Sequence, residues 1–271
     1  FNDSRTLVIE GDDYHKWDRG HESWERYTHL DPKANFLDLL AADASKLSLG
    51  LHIKRAKYDH TTGKFSDARE LKPHSTVVLQ GLHTLYLRGL RDKLDVKVFL
   101  DPEASLRLFW KIKRDSLERG HPREKIVESL VKREQDSNTH IQPQKRFADW
   151  IVEYLAKGEN GENYTREMAV KGVEPKLLVR HWVWNDVPLE SLITSLKKYA
   201  PGISASVEID REDLNRVSIR FEGSASSLEI QNVAVHSFEN LRHLTRASQM
   251  PKFLDGYDGL SQLVLLSLLN K

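Results

Sequence analysis

The strongest candidates for chemistry are the charged residues that follow the first apolar run of the chain. Residues 6–9 (TLVI) are apolar and β-branched, which predicts a buried strand, and Asp12 and Asp13 follow shortly after it. A carboxylate at a strand end can accept a proton from a hydroxyl group or hold Mg²⁺. His15 and Arg19 could bind an anionic or polyol substrate. The alternative is a solvated charged loop, but the position directly after a buried strand favours the chemical interpretation.

Two more apolar runs end in polar residues in the same way. Residues 77–79 (VVL) lead to Gln80, and residues 96–100 (VKVFL) lead to Asp101. Largely apolar runs without strict alternation are typical of strands that are covered on both faces, as in parallel α/β sheets. Ligands of such sheets bind at the carboxyl ends of the strands. The pattern therefore predicts a site that gathers these strand ends.

A cationic stripe is predicted on the helix that should span 102–119. Arg107, Lys111 and Arg114 are spaced so that they share one helix face, and Arg119 lies at the end of the helix. Such a stripe could bind phosphates, whose charge cationic side chains stabilise during phosphoryl transfer. A solvent-exposed face with ion pairs is the alternative.

A polar loop is predicted at residues 58–64 (YDHTTGK). Its aromatic rings and carboxylate could bind sugar hydroxyls, although Thr-Thr-Gly is also common in ordinary turns.

The composition excludes several classes of protein. The 271 residues have a net charge of 41 − 40 = +1, which argues against a general nucleic-acid binder. The absence of cysteine excludes disulfide scaffolds, thiolate nucleophiles and Cys-based zinc sites. No histidine pair has the spacing of a zinc hydrolase. No apolar run reaches the ~18 residues of a membrane-spanning helix, and the first residues are not those of a signal peptide. We therefore expect a cytoplasmic protein without nucleic-acid or membrane partners.

Several separated motifs occur in a fixed order. They are GDDYH (11–15), THLDP (28–32), YDH (58–60), GLH (81–83), KIKRD (111–115), ERGH (118–121), IQPQK (141–145) and AD (148–149). Over residues 6 to about 152 this series resembles the phosphoribulokinase/uridine kinase family, and more closely its phosphoribulokinase branch. An ordered series is more specific than one motif. The resemblance implies a P-loop kinase-like parallel sheet flanked by helices, and phosphorylation of a sugar, sugar phosphate or nucleoside hydroxyl with ATP and Mg²⁺.

The resemblance also implies roles for individual residues. Asp12 matches the catalytic carboxylate, the candidate base for the acceptor hydroxyl, and Lys111 matches an active-site lysine of the phosphoribulokinase branch. Arg114 and Arg119 match lid arginines that meet ATP phosphates and substrate. Metal ligation falls to Asp12 and Gln80. The substrate side comprises Asp13, His15, Arg19, Tyr58, His60 and His83.

Two departures from the family pattern are visible. There is no Walker A motif, Gly-x-x-x-x-Gly-Lys-[Ser/Thr], since Gly63-Lys64 is followed by Phe65. We expect that the family's first strand and P-loop, roughly 30 residues, lie outside this sequence, and that a gap accompanies strand 6–10. Gln80 stands where the family usually has Glu. The alternative to an active kinase is therefore a weakened or inactive ligand-binding module.

The remaining pattern predicts the domain organisation. Residues 1–156 form the kinase-like domain, the polar and Gly-rich segment 157–172 is a linker, and 173–271 is an α+β C-terminal extension. In the extension, strands are predicted at 177–184, 205–209, 216–222 and 227–233, and helices at 189–199, 236–248 and 256–269. In the first part, helices are predicted at 35–49 and 123–134. The apolar last helix suits core packing or the interface of a homo-oligomer.

Overall fold

The computed structural model describes residues 5–117, 122–241 and 251–271. The chain divides into two compact units, Phe1–Lys97 with Val127–Ala148 and Val98–Ile126 with Asp149–Lys271. The segment 157–172, predicted as a linker, lies inside the second unit. It contains a helix at Arg166–Lys171 that Thr165 caps, so this segment is not irregular throughout.

Short strands and helices alternate along the chain. The first 97 residues contain β1 (Thr6–Glu10), α1 (Ser23–Arg26), α2 (Leu37–Ser48), β2 (Ile53–Arg55), β3 (Tyr58–Asp59), β4 (Lys64–Phe65), β5 (Arg69–Leu71), β6 (Thr76–Gln80) and α3 (Arg88–Arg91). The rest contains β7 (Val98–Pro102), α4 (Ala104–Leu117), α5 (Arg123–Asp136), β8 (Trp150–Lys157), α6 (Arg166–Lys171), β9 (Lys176–Trp184), α7 (Glu190–Tyr199), β10 (Ile203–Ile209), β11 (Arg216–Gly223), α8 (Ser227–Ser237) and α9 (Gly256–Leu269).

The first unit is built on a parallel pair of strands. β1 pairs with β6 in register from Thr6 opposite Thr76 to Glu10 opposite Gln80. Alternate residues of both strands pack on α2, because side chains alternate between the two faces of a strand. In the described ranges, β1 and β6 pair with each other and with no third strand. The edge of β1 that does not face β6 therefore has no strand partner among the described residues.

The second unit contains a five-stranded mixed sheet in the order β10-β11-β9-β8-β7. β7 and β8 are parallel, whereas the other neighbours are antiparallel, which confirms the antiparallel character predicted for the C-terminal half. Its core lies between one face of this sheet and α7, α8 and α9. None of the helices in the described ranges is long and apolar enough to cross a membrane.

Two predictions for the C-terminal half need correction or fall outside the structure, and one strand before it was missed. Residues 227–233 form the start of α8 and not a strand, because Ser226 and Glu229 make a reciprocal capping box. The apolar strand β8 was not predicted at all. The helix predicted at 236–248 falls partly on residues 242–250, which lie outside the described ranges.

Candidate active site

The site forms where β1 and β6 end side by side. A methyl group built on Gly81 would lie 2.9 Å from the Cα atom of Gly11, and one on Gly11 would lie 3.1 Å from the Cα atom of Gly81. Glycine therefore lets the two backbones approach closely. A 3₁₀ turn, Gly11–Tyr14, follows β1 directly and places Asp12 at the carboxyl end of the strand pair.

Asp12 lies between two histidines. Its Oδ1 atom is 3.3 Å from Nε2 of His15, and its Oδ2 atom is 3.4 Å from Nε2 of His60. The Asp12 side chain is 37% exposed. Burial acts to raise the pKa of Asp12, but the hydrogen bond to His15 and the electrostatic effects of His15 and His60 outweigh it, so the pKa lies below its usual value. Asp12 is therefore a carboxylate at neutral pH and can accept a proton.

His15 is buried and its second ring nitrogen is held by an asparagine that the sequence analysis missed. Nδ1 of His15 is 2.7 Å from Oδ1 of Asn35. The Asn35 amide nitrogen donates to the carbonyl oxygens of His29 and Asp31, at 3.2 and 3.0 Å. The oxygen of Asn35 therefore faces His15, and His15 donates from Nδ1. No local sequence pattern pairs residues 20 positions apart, so only the fold shows this contact.

Two further imidazoles lie close by and are neutral. Burial lowers the pKa of both His29 and His83 to about 4. Nε2 of His83 is 3.2 Å from the carbonyl oxygen of His29, so it is the nitrogen that carries the proton. Since His83 is neutral at pH 7, it suits contact with a hydroxyl group better than with a phosphate.

A small pocket opens at this point. The space between its walls, counted together with open solvent at its mouth, is about 280 Å³. Its lining includes Gly11, three leucines and the polar residues Asp12, His15, His29, Asn35, His83 and Thr84. The structure thus brings together three residues that were predicted for the site, Asp12, His15 and His83, and adds others that were not, among them His29 and Asn35.

The predicted loop 58–64 forms part of a hairpin, 58–65, in which β3 pairs with β4. Tyr58 is buried, and its ring lies edge-on to the rings of His15 and His60. Tyr58 therefore forms a wall beside Asp12. The carboxylate of Asp59 accepts hydrogen bonds from the Thr61 amide and the Thr62 hydroxyl, the ordinary turn chemistry that was the alternative interpretation of this motif.

Asp13 and Arg19, which were both predicted to bind substrate, contact this hairpin. Oδ1 of Asp13 accepts the amide hydrogen of Tyr58 at 2.7 Å. Burial raises the pKa of Asp13, and this hydrogen bond offsets the effect only in part. Nη2 of Arg19 donates to the carbonyl oxygen of His60 at 2.6 Å. Direct substrate contact by either residue stays a prediction.

Two of the cationic residues predicted from the family lie in the second unit. Lys111 and Arg114 are carried by α4, and Nε of Arg114 donates to Oδ1 of the buried Asp115 at 2.8 Å. Arg119 lies outside the described residues. Their contact with ATP phosphates stays a prediction.

The metal ligands Asp12 and Gln80 also stay predictions. In the described ranges, no group of three or more His, Asp or Glu residues could hold a metal ion. Both oxygens of Asp12 face histidines, and Gln80 is exposed. Glu10, which the sequence analysis did not single out, is the strand partner of Gln80 and lies 3.5 Å from Nζ of Lys57. These side chains do not form a protein metal centre by themselves.

The motif 141–145 holds the loop that carries His83 through the side chain of Gln144. The side-chain oxygen of the buried Gln144 accepts the amide hydrogen of Leu85, and its nitrogen donates to the carbonyl oxygens of Leu82 and His140. These bonds satisfy backbone groups on either side of His83, so the glutamine fixes the loop that follows β6.

Comparison with known proteins gives the family. The model of the phosphoribulokinase/uridine kinase family matches residues 2–159. The chain belongs to this family. A phosphoribulokinase of Synechocystis is 37% identical over 155 residues, which cover 57% of this chain and 47% of that protein. A chloroplastic phosphoribulokinase of Arabidopsis thaliana is 37% identical over 150 residues, covering 55% and 38%. A uridine kinase of Geobacillus is 32% identical over 169 residues, covering 60% and 77%.

Two further comparisons concern the share of the relatives that this chain covers and the likeness of its fold to a solved structure. The chain spans less than half the length of these two phosphoribulokinases. The structure of the phosphoribulokinase of Rhodobacter spheroides matches 97% of this chain and 88% of its own, with a TM-score of 0.61 and 16% identity. This likeness shows the fold, an α/β kinase fold with parallel strands and flanking helices.

Proposed function

We propose that the protein is a phosphotransferase that moves the γ-phosphoryl group of ATP to a hydroxyl group of a sugar phosphate, with Asp12 as the base. The observation that carries the proposal is the position of Asp12. It is an ionised carboxylate at the carboxyl end of β1, in the wall of a pocket, and its two oxygens face two histidines. Ligands of parallel sheets bind at this end of the strands.

The two oxygens of Asp12 have different surroundings. Oδ1 faces the buried His15, whereas Oδ2 faces His60, which is 48% exposed. Oδ2 is therefore the oxygen that an acceptor hydroxyl can reach and to which it gives its proton. The lowered pKa makes Asp12 a weak base. A weak base is sufficient, because the hydroxyl becomes acidic only late in a loose phosphoryl-transfer transition state.

A sugar phosphate is the acceptor that the comparisons favour. The phosphoribulokinases in the comparison are 35–39% identical to this chain, and the uridine kinases 28–32%. The family pattern adds the basic side chains Lys111 and Arg114 of α4, whose charge suits an anionic substrate. A neutral nucleoside would make no use of these charges.

The nucleotide side rests on the family pattern. ATP phosphates would meet Lys111, Arg114 and Arg119, and these 271 residues contain no Walker A motif that would supply backbone donors. Mg²⁺ bound to ATP supplies charge neutralisation on the phosphoryl oxygens. In that role it needs only one or two protein carboxylates beside the phosphates.

A panel of acceptors tests the proposal. The protein is incubated with MgATP and ribulose 5-phosphate, other sugar phosphates, or uridine, and the products are followed by ³¹P NMR and ADP release. We expect a sugar phosphate to be phosphorylated with a kcat/KM at least 100 times that of uridine. Preference for uridine would contradict the acceptor class. Calorimetric binding of sugar phosphates without transfer to any acceptor would contradict the kinase activity and support a ligand-binding module.

A further inference from the structure

His29 lines the pocket at the end of β1, and its neighbours hold it in place. The centre of its ring lies 4.1 Å from that of Trp24 and 4.7 Å from that of His15. Its carbonyl oxygen accepts hydrogen bonds from Nδ2 of Asn35 and from Nε2 of His83, both at 3.2 Å. The ring and the backbone of His29 are therefore both fixed at the wall of the pocket.

The Nδ1 atoms of His29 and His83 are buried and have no hydrogen-bond partner among the described residues. Both imidazoles belong to the lining of the same pocket. A buried polar atom without a partner costs free energy, because it has lost its bonds to water and gained none in return. A ligand group that supplies the missing hydrogen bond removes this cost and gains affinity.

The chemistry of the two histidines decides which ligand group fits. Nε2–H of His83 donates to the carbonyl oxygen of His29, so Nδ1 of His83 carries a lone pair and only accepts. A hydroxyl group can donate to this nitrogen, whereas an ionised phosphate oxygen or a keto oxygen cannot. Burial lowers the pKa of both imidazoles to about 4, so at pH 7 neither carries a positive charge for a phosphate. The wall that His29 and His83 form therefore fits hydroxyl groups.

We propose that His29 is a further substrate-binding residue, whose imidazole hydrogen-bonds one hydroxyl group of a polyhydroxylated acceptor while another hydroxyl group gives its proton to Asp12. This inference rests on the proposed function, and it narrows the acceptor to a sugar phosphate with at least two free hydroxyl groups. The family resemblance implied no role for His29. The alternative is a histidine that only packs against the rings of Trp24 and His15.

Substitution of His29 by phenylalanine separates hydrogen bonding from packing. His29→Phe keeps an aromatic ring beside Trp24 and removes both nitrogen atoms. Calorimetry without ATP measures the binding of ribulose 5-phosphate, so the result does not depend on phosphoryl transfer. We expect the affinity of His29→Phe to fall about 10-fold, whereas His29→Asn, whose amide group can replace Nδ1, should stay within about threefold of the wild type. Equal affinity of His29→Phe and the wild type would overturn the proposal.

Analogues that lack one hydroxyl group identify the contact. The binding of 1-deoxy-, 3-deoxy- and 4-deoxyribulose 5-phosphate is compared in the wild type and in His29→Phe. The analogue that lacks the contacted hydroxyl group should bind the two proteins within about twofold of each other, because the contact is already gone. The other two analogues should keep the difference of about 10-fold. The same difference for all three analogues would overturn the contact, as would an equal loss of affinity for inorganic phosphate.

A matched control comes from a second histidine that stacks on a tryptophan. The ring of His21 stacks on that of Trp17 but is not part of the pocket lining, so His21→Phe should bind ribulose 5-phosphate with the affinity of the wild type. Thermal unfolding checks that each variant is folded. His29→Leu removes the same nitrogen atoms with a smaller side chain and replaces His29→Phe if the larger ring unfolds the protein.

Kinetics and binding together separate this inference from the proposed function. In the active enzyme, His29→Phe should raise KM for the acceptor about 10-fold and change kcat by less than about threefold, because the contact is made before the transition state. A lower kcat with an unchanged KM would overturn the binding role. Binding of ribulose 5-phosphate without turnover would contradict the kinase activity alone, whereas no binding to the wild type would contradict both.

Discussion

Asp12 and His15 form a pair in which a half-exposed carboxylate is fixed by a buried imidazole. Oδ1 of Asp12 lies 3.3 Å from Nε2 of His15, whose Nδ1 atom lies 2.7 Å from Oδ1 of Asn35. The amide of Asn35 is oriented by two backbone carbonyl groups. The orientation of the proposed base is therefore set by the backbone between His29 and Asn35.

Asn35→Ala should destabilise the first unit. The substitution leaves Nδ1–H of the buried His15 without an acceptor, and an unpaired buried donor costs about 1–3 kcal/mol. Urea unfolding measures the loss. Asn138→Ala, at an exposed position, should change the free energy of unfolding by less than about 0.5 kcal/mol. Equal stability of the two variants would show that the Asn35 contact does not hold His15.

Asp43→Ala should have a larger effect. The buried Asp43 accepts a hydrogen bond from the hydroxyl of Tyr14 at 3.0 Å and pairs with Arg55, whose guanidinium group lies over the Tyr14 ring. Removing one partner of a buried ion pair costs about 3–5 kcal/mol, because the other charge stays buried. Thermal and urea unfolding check the value against Asp67→Ala, which is exposed. A loss no larger than that of Asp67→Ala would show that the buried pair of Asp43 and Arg55 does not stabilise the first unit.

The stability of the second unit should fall in acid because of His181. Burial lowers the pKa of His181 to about 3, whereas the unfolded chain takes up this proton near pH 6.5. Between pH 6.5 and 3 the unfolded state therefore binds more protons, and lowering the pH favours unfolding by up to about 1.4 kcal/mol per pH unit. The stability that neutral His181 contributes is fully present above pH 6.5 and is lost progressively as the pH falls below that value.

His181→Asn tests this slope. The Asn oxygen can replace Nδ1, which accepts the indole hydrogen of Trp150, and Asn does not titrate. We expect a flatter loss of stability between pH 6.5 and 4 in urea unfolding of this variant, at the cost of lower stability at pH 7. His74→Asn, at an exposed site, should keep the slope of the wild type. A wild-type slope in His181→Asn would assign the acid sensitivity to other groups.

Asp13→Asn separates the two adjacent carboxylates. The Asn oxygen can still accept the amide hydrogen of Tyr58, so the hairpin keeps its support. We expect less than a threefold change in kcat and KM of phosphoryl transfer. A loss of 100-fold or more would return Asp13 to the substrate-binding role that the sequence predicted.

The elements that the sequence predicts well are those with a strong local pattern. Helix periodicity gives α4, α7 and α9 to within two residues, and the apolar runs give β1, β6 and β7. The wrong prediction of a strand at residues 227–233 reflects the apolar side chains of that segment. Ile230 and Val233 suggested a strand, although Ser226 and Glu229 carry the pattern of a capping box. The chain between Ala148 and Gly158 is apolar enough to predict β8, so the signal for that strand was present.

The site residues also fall into those that a local sequence pattern predicts and those that only the fold shows. Asp12 and His15 follow from their place after a strand, which is a local rule. Asn35 acts through a contact with a residue 20 positions away in the chain, and no local pattern indicates it. The roles of Asp13 and Arg19 depend on which way their side chains turn, and composition and spacing do not determine that.

The most direct test of the account is the turnover of Asp12→Asn. The amide keeps the shape and removes the base, so we predict that kcat with MgATP and the preferred sugar phosphate falls by about 10²–10⁴-fold. Calorimetric affinity for the sugar phosphate should stay within about threefold of the wild type. A kcat within 10-fold of the wild type would contradict the assignment of Asp12 as the base.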